Sequence, residues 1–297
     1  MNMAKLITPI FILALMVSLV LGKAKTKTVP EDTLRFAYSS STFTDVNLKD
    51  AKVAMELLTS EIAKQLLVNT VPKTTIFTNI NMLITALKNK EVDMAALSAV
   101  DYLRNKNKLN IEPALIGISN QSYGKEFIIL VHNQSGIKNL KQLINKKVIV
   151  PKSSEMKNLI FIWLQNLFIK NKVSGFKRFY DQINFVEKPS QAILPVFFQQ
   201  ADACIVSNES FKLLIELNPQ LGRDLAILKR SPVFITNFFG FRKDLNENIK
   251  KMILEKAHNL QYYPAGKQIL MLFKLDRIVP FKREYLDNVA QLIKLNK

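Results

Sequence analysis

The 297-residue chain sets 42 lysines and arginines against 24 aspartates and glutamates, a formal charge of +18, and is 48% hydrophobic with only 8 glycines. Half-apolar composition excludes a disordered or fibrous chain. The lysines are scattered, with no arginine-rich segment and no interleaving of aromatic and basic residues, which argues against nucleic acid as a partner. The excess charge suits solvated helix faces and attracts small anions.

The first residues carry one lysine, Lys5, followed by an apolar run over residues 6–21, then Gly22 and Ala24. This order is that of a cleavable secretory signal, here residues 1–22, and predicts export to the periplasm. The run is shorter than the roughly 20 residues a membrane span needs, and Pro9 interrupts it. No cysteine follows it, so no lipid attachment is expected. The remainder exceeds the usual single core of roughly 100–200 residues, which predicts two lobes.

A first strand is expected over 34–38, then the hydroxyl-rich Ser39-Ser40-Ser41-Thr42. A long amphipathic helix over 48–67 places Val53, Leu57, Leu58, Ile62 and Leu66 on its apolar stripe. Strands over 74–78, 92–97 and 111–118 alternate with helices over 81–88 and from Ala99, the rhythm of a mostly parallel sheet wrapped by helices. The rhythm restarts after 119–125. Strands are expected at 126–132, 148–150, 184–187 and 203–206, with helices at 140–144, around Trp163, at 192–199 and at 211–217. Asn218-Pro219 breaks the last of these. Extended segments at 225–228 and 233–236 precede three closing helical segments. The fold class is therefore α/β, in two lobes.

One pattern goes beyond composition. Residues 86–98 align with 195–207 at a constant offset, so that Asp93 meets Asp202, Ser98 meets Ser207 and Tyr102 meets Phe211. Each copy is a helix, a turn, an aspartate opening a buried strand, and a serine at the strand's end leading into a new helix. Two lobes on one plan would generate this echo, although short βαβ units also resemble each other by chance.

Ligands of open parallel sheets lie beyond the carboxyl ends of the strands, where helix N-termini offer unpaired N–H groups. Ser39–Thr42, Ser98, Ser153-Ser154 and Ser207 put hydroxyls at such ends, able to donate and accept. Helix capping alone accounts for any one of them. Four in both halves point to a shared site, with Tyr38, Tyr102 and Tyr123 as aromatic lining. Asp93 and Asp202 open their strands at the far end and are expected to stabilise turns. No histidine–carboxylate–serine grouping, metal-spaced cluster or glycine-rich phosphate loop occurs, so no catalytic residue, metal or cofactor is expected. Cys204, in an apolar run, is expected to behave as a small hydrophobe.

The run Ala86–Asp93, then Ala95-Ala96-Leu97-Ser98 and Tyr102, resembles the central signature of phosphonate-type periplasmic binding proteins, the receptors of phosphate/phosphonate ABC importers. Ser135-Gly136-Ile137 with Leu140 and Leu143, then Val148–Pro151, Asp202-Ala203-Cys204 and Ser231-Pro232 extend the likeness over 34–275. The resemblance implies a type II periplasmic binding fold with a double-crossover hinge and a central ligand cleft. Lobe 1 would be 31–118 plus 236–297, lobe 2 would be 119–235, and the hinge strands would be 119–125 and 235–241. It also implies a non-enzymatic receptor, monomeric, without cofactor, that captures a phosphonate- or phosphate-like anion or zwitterion and delivers it to an inner-membrane ABC permease. A membrane sensor reading the same closure is an alternative partner, and an enzyme of unrecognised type a remoter one. The implied ligand-binding residues are Tyr38, Ser40, Ser98, Tyr102, Ser153, Ser154, Gln191 and Ser207. Two departures stand out. Lys152-Ser153-Ser154-Glu155-Met156 lacks the family's glycine and adds a carboxylate, and Gln191 stands where the family often carries histidine.

Overall fold

The computed structural model describes residues 34–42, 48–65, 72–152 and 159–294. All lie within one compact unit, Asp32–Lys297. The expected signal at 1–22, the turn bearing Ser153 and Ser154, and Leu66 of the predicted helical stripe lie outside the described residues.

Two sheets organise the chain. The first has six strands, built from β1 (Arg35–Ser39), β2 (Lys73–Phe77), β3 (Met94–Ser98), β4 (Ile111–Ile118), β10 (Asn237–Arg242) and β11 (Arg277–Pro280). Its order is β11-β4-β10-β3-β1-β2. The second has five, β5 (Phe127–His132), β6 (Val148–Pro151), β7 (Ile183–Val186), β8 (Ala203–Ser207) and β9 (Leu225–Arg230), in the order β7-β6-β8-β5-β9.

Within each sheet three strands run parallel and the next is antiparallel. β2, β1 and β3 correspond to β7, β6 and β8, while β10 and β5 flank β3 and β8 antiparallel. The echo in the sequence is thus a structural duplication. Its aspartates do matching work. Asp93 accepts the backbone N–H of Arg35 at 2.9 Å, where β1 opens, and Asp202 accepts that of Lys147 at 2.8 Å, just ahead of β6. Its serines match too: each caps its following helix, α3 (Ala99–Asn105) or α7 (Asn208–Leu217), by accepting the N–H three residues on.

Central strands are apolar on both faces because helices cover both sides. Met94–Leu97 and Ala203–Val206 are buried throughout. Cys204 lies fully inside, where burial pushes its thiol pKa far up and leaves it a packing residue.

The long helix α1 (Leu48–Gln65) turns a different face inward than its apolar periodicity predicts. Ala51, Met55, Leu58, Thr59 and Ala63 are buried, whereas Val53 and Leu57 are 58% and 61% exposed. This face also carries a buried hydroxyl: Thr59 donates to the Met55 carbonyl and shares a 2.8 Å contact with Thr74 of β2.

The chain end departs further from expectation. After α9 (Glu247–His258) and α10 (Pro264–Leu272) comes β11, an unanticipated edge strand, and only then α11 (Asp287–Lys294). The second expected hinge strand, 235–241, is mostly β10, an interior strand of the first sheet; the crossing itself is 231–236. Helix α5 (Phe176–Asp181), absent from the periodicity reading, packs Phe176 and Phe179 against Phe168 of α4 (Phe161–Lys170).

Asp93 is more than a turn residue. Arg35 bonds it at 2.8 Å, and Arg242, 8% exposed at its side chain, at 3.1 Å. Removing Asp93 leaves the buried Arg242 with Asp244 and the Val92 carbonyl as its remaining partners, at a cost of about 3 kcal/mol, the lower end for breaking a buried charge group. Asp202 is half-buried beside the exposed Lys146, and losing its partner costs about 1 kcal/mol. Asp93→Ala should therefore lower the urea midpoint well beyond Asp202→Ala; equal shifts would contradict the buried-hub reading.

Candidate functional site

Registers fix which sheet edges meet. β4 ends at Ile118 and the chain leaves the first sheet there. Because β10 is antiparallel to both β3 and β4, this is also the edge where β1 and β3 end. In the second sheet Phe127, where β5 enters, pairs with Ser207, where β8 ends. The carboxyl ends of the parallel strands in both halves therefore lie at the edge the chain crosses.

The crossings are paired to each other. Lys125 and Phe234 exchange backbone hydrogen bonds, both 2.9 Å. A methyl group at Gly124 would sit 2.3 Å from the Phe234 carbonyl oxygen, so only glycine allows this approach. The first crossing begins in a tight turn in which Asn120 and Gln121 both take positive φ (47° and 61°) and Ser119 and Ser122 exchange N–H···O bonds, the type I′ arrangement. Asp276 accepts the Gln121 N–H at 3.1 Å. Ser231, at the start of the second crossing, accepts the Phe127 N–H at 2.8 Å.

Each capping serine is coupled to a crossing. Ala99 N–H donates to the Thr236 carbonyl at 2.9 Å, and Asn208 N–H to the Glu126 carbonyl at 2.8 Å. One backbone network thus runs from Ser98 through both crossings to Ser207.

Among the sequence-predicted residues, Ser98 and Ser207 hold corresponding places at these facing ends. Ser98 accepts the Asp101 N–H at 3.0 Å, and Ser207 the Ser210 N–H at 3.1 Å with its hydroxyl 2.8 Å from that of Ser210. Tyr102 is half-buried next to Ser98 and packs edge-on to Phe238 at 5.1 Å. Burial raises the pKa of its hydroxyl, while the nearby Arg283 charge pulls it down. Tyr123 stacks on Tyr285 at 4.4 Å, beside the first crossing.

Ser40 sits in a half-exposed 3-10 turn (Ser40–Thr42) at the end of β1. The hydroxyl chain at this turn runs through its neighbours. Ser41 donates to the Asp101 carboxylate at 2.7 Å, and Ser39 lies 2.8 Å from Ser41. Since the single Ser41 hydrogen is on Asp101, Ser39 is the donor to Ser41. Thr42 donates to the Ser39 carbonyl at 2.7 Å.

One candidate is placed elsewhere, and another, after the carboxyl end of β7, is engaged locally. Tyr38 is a core residue, 2% exposed, edge-on to Phe239 at 6.1 Å, and not a cleft residue. Strand alternation is the cause: Phe36 and Tyr38 share the face packed on Met55, Leu58 and Ile253, opposite to Ala37. Gln191 is exposed and engaged locally, its side-chain oxygen accepting from Glu187 N–H at 3.1 Å and Lys188 N–H at 3.0 Å to cap α6 (Pro189–Phe197). Asp101, which the sequence analysis does not single out, joins the 3-10 turn after β1 to α3. Its signal was present in Ser98-Ala99-Val100-Asp101, a capping-box spacing whose carboxylate here reaches across instead of back.

Duplicate α/β lobes with two crossings and facing strand ends define the class: the type II periplasmic binding fold. Solved structures agree. A binding-protein component of an ABC phosphonate transporter from Pseudomonas aeruginosa is 15% identical over 89% of this chain and 86% of its own, with a TM-score of 0.58. PhnD1 from Prochlorococcus marinus, solved with methylphosphonate, is 17% identical over 90% of this chain and 100% of its own, TM-score 0.58. A Xanthomonas citri protein solved with ATP is 12% identical over 89% and 97%, TM-score 0.61. No curated protein matches the sequence. The family model for periplasmic substrate-binding proteins of phosphonate ABC transporters matches residues 43–286. The chain belongs to that family, whose members are transport receptors.

Gly124→Ala tests the paired crossings. The added methyl has to part Gly124 from Phe234, and overpacking of this kind costs about 1–3 kcal/mol. The melting temperature is expected to fall by several degrees; an unchanged midpoint would show that the crossings do not need this approach.

Proposed function

We propose that this protein is exported and binds a small phosphonate between the strand ends that face the crossings, releasing it to an inner-membrane ABC permease. One observation carries the reading: Ser98 and Ser207, equivalent residues of two duplicated halves, are each followed by a residue whose N–H bonds one of the two paired crossings. A ligand touching both ends favours the conformation in which they are close, and that differential affinity drives closure.

In this reading lobe 1 comprises 31–118 with 236–297, lobe 2 comprises 119–235, and the receptor works as a monomer. The Ser98 oxygen is used by the Asp101 N–H, which leaves its hydrogen to donate to a ligand oxyanion; Ser40 and the Tyr102 hydroxyl are further donors on the same wall. Ser207 supplies the opposite wall. The relative solved with methylphosphonate supports the ligand class, and the family supports the permease partner and the periplasmic location. No helix among the described residues is long and apolar enough to cross a membrane.

Binding only the folded protein stabilises it by mass action, by about 2.7 kcal/mol at a hundredfold excess over Kd. For a chain of this size the melting temperature should rise roughly 5–10 °C with methylphosphonate or 2-aminoethylphosphonate. No shift with any phosphonate, phosphate or phosphite would remove the anion reading.

Ser98→Ala separates capping from binding. Loss of the cap costs about 1 kcal/mol. A ligand contact adds a loss of affinity of roughly tenfold in titration calorimetry, whereas unaltered affinity would mark Ser98 as a cap alone.

A further inference from the structure

The wall formed by the ends of β1 and β3 is an acceptor wall at one point, and this sets which oxyanions suit it. This rests on the phosphonate reading above. Serine hydroxyls at an anion site are ordinarily counted as donors. Here the Ser39 and Ser41 hydrogens are already directed along a chain, Ser39 to Ser41 to the Asp101 carboxylate, with contacts of 2.8 and 2.7 Å. Thr42 spends its hydrogen on the Ser39 carbonyl. What the chain presents at its end is carboxylate, which is acceptor-only when ionised.

The duplicated half shows that capping does not demand this. Asp101 is aligned with Ser210 at the same offset that aligns Ser98 with Ser207. Ser210 meets the capping serine with its own hydroxyl at 2.8 Å, and α7 forms as α3 does. A neutral residue thus satisfies the position in one lobe, while the other carries a half-buried carboxylate that reaches over to Ser41 in the turn after β1.

We infer that Asp101 is a specificity-determining residue that selects oxyanions bearing a proton of their own, a P–OH monoanion, over fully deprotonated isosteres. A phosphonate monoanion places its P–OH on the carboxylate and its remaining oxygens on the hydroxyl and backbone donors. A sulfonate of the same size has no proton to offer, so its oxygen meets the carboxylate lone pairs directly. That contact is repulsive, and a site built around a hydrogen bond rejects the analogue that lacks it.

The test pairs ligands of one carbon skeleton: methylphosphonate against methanesulfonate, and 2-aminoethylphosphonate against taurine, by calorimetric titration of the full-length mature protein. The ammonium of the second pair is common to both members, so only the acid group differs. The wild type should favour each phosphonate by at least about tenfold, the size of one charge-assisted hydrogen bond. Asp101→Asn keeps an oxygen for Ser41 and supplies an amide donor, so it should bring the ratio toward unity by weakening the phosphonate and strengthening the sulfonate. Asp101→Ser, the residue type of the other lobe, should narrow the ratio in the same direction, and it serves where the Asn variant folds poorly. If sulfonate and phosphonate bind the wild type equally, or the ratio survives both substitutions, the role of Asp101 is overturned while the anion site stands. If no member of either pair binds the wild type, the phosphonate reading itself fails and this inference with it.

Discussion

The close pairing of the two crossings is the constraint on which the rest of the structure depends. Gly124 lies against the Phe234 backbone at a distance no side chain permits, and Lys125 and Phe234 close the pair with two hydrogen bonds. From this point the register runs outward in both directions. Phe127 pairs with Ser207 on one side, and Asn237 pairs with Ser98 on the other. A slip of one residue in either crossing would invert every side chain of β5 or β10, strands buried on both faces. The ends of the parallel strands face the crossings because β5 and β10 leave the crossings in these registers.

The two halves share a plan but divide the labour. In the first, Asp93 is a buried hub for two arginines, anchoring the edge of the sheet farthest from the crossings. In the second, Asp202 holds the turn and an exposed lysine. At the opposite edge the asymmetry reverses in kind: the first half offers a carboxylate where the second offers a hydroxyl. Duplication supplies the scaffold, and the differences between copies supply rigidity at one edge and chemistry at the other.

Much of this was legible in the sequence, and for identifiable reasons. Continuous apolar runs such as 94–97 and 203–206 identify central strands, and the aspartate and serine that bracket each run mark its two ends. The duplication could be read because both residue types do local work, closing a turn and capping a helix. What escaped notice depends on tertiary partners. The inward face of α1 carries Met55, Leu58 and Thr59, the last meeting Thr74 of β2, a contact periodicity cannot foresee. Tyr38 looked like a cleft residue because it precedes the serine turn, yet strand alternation turns it into the core. Edge strand β11 is short and follows helices, and it forms because β4 leaves an open edge for Arg277–Pro280 to cover. Asp101 appeared as one more acidic residue in a first helical turn until Ser41 was placed beside it.

The C-terminal segment, which sequence alone suggested was packing for the first lobe, is fastened to both. Helix α11 packs on α3 of the first half and α4 of the second. Asn166 of α4 donates to the Leu292 carbonyl at 3.0 Å, and Asn288 donates to the Val233 carbonyl in the second crossing, also at 3.0 Å. Val289 is fully buried within an apolar cluster that draws residues from both sheets. A rotation of one sheet against the other about the crossings therefore has to move α11 over one of its two helical neighbours. Packed side chains have discrete arrangements and resist continuous sliding. The crossings supply the pivot, and α11, seated on both halves, makes the angle between them a property of packing as well as of the hinge backbone.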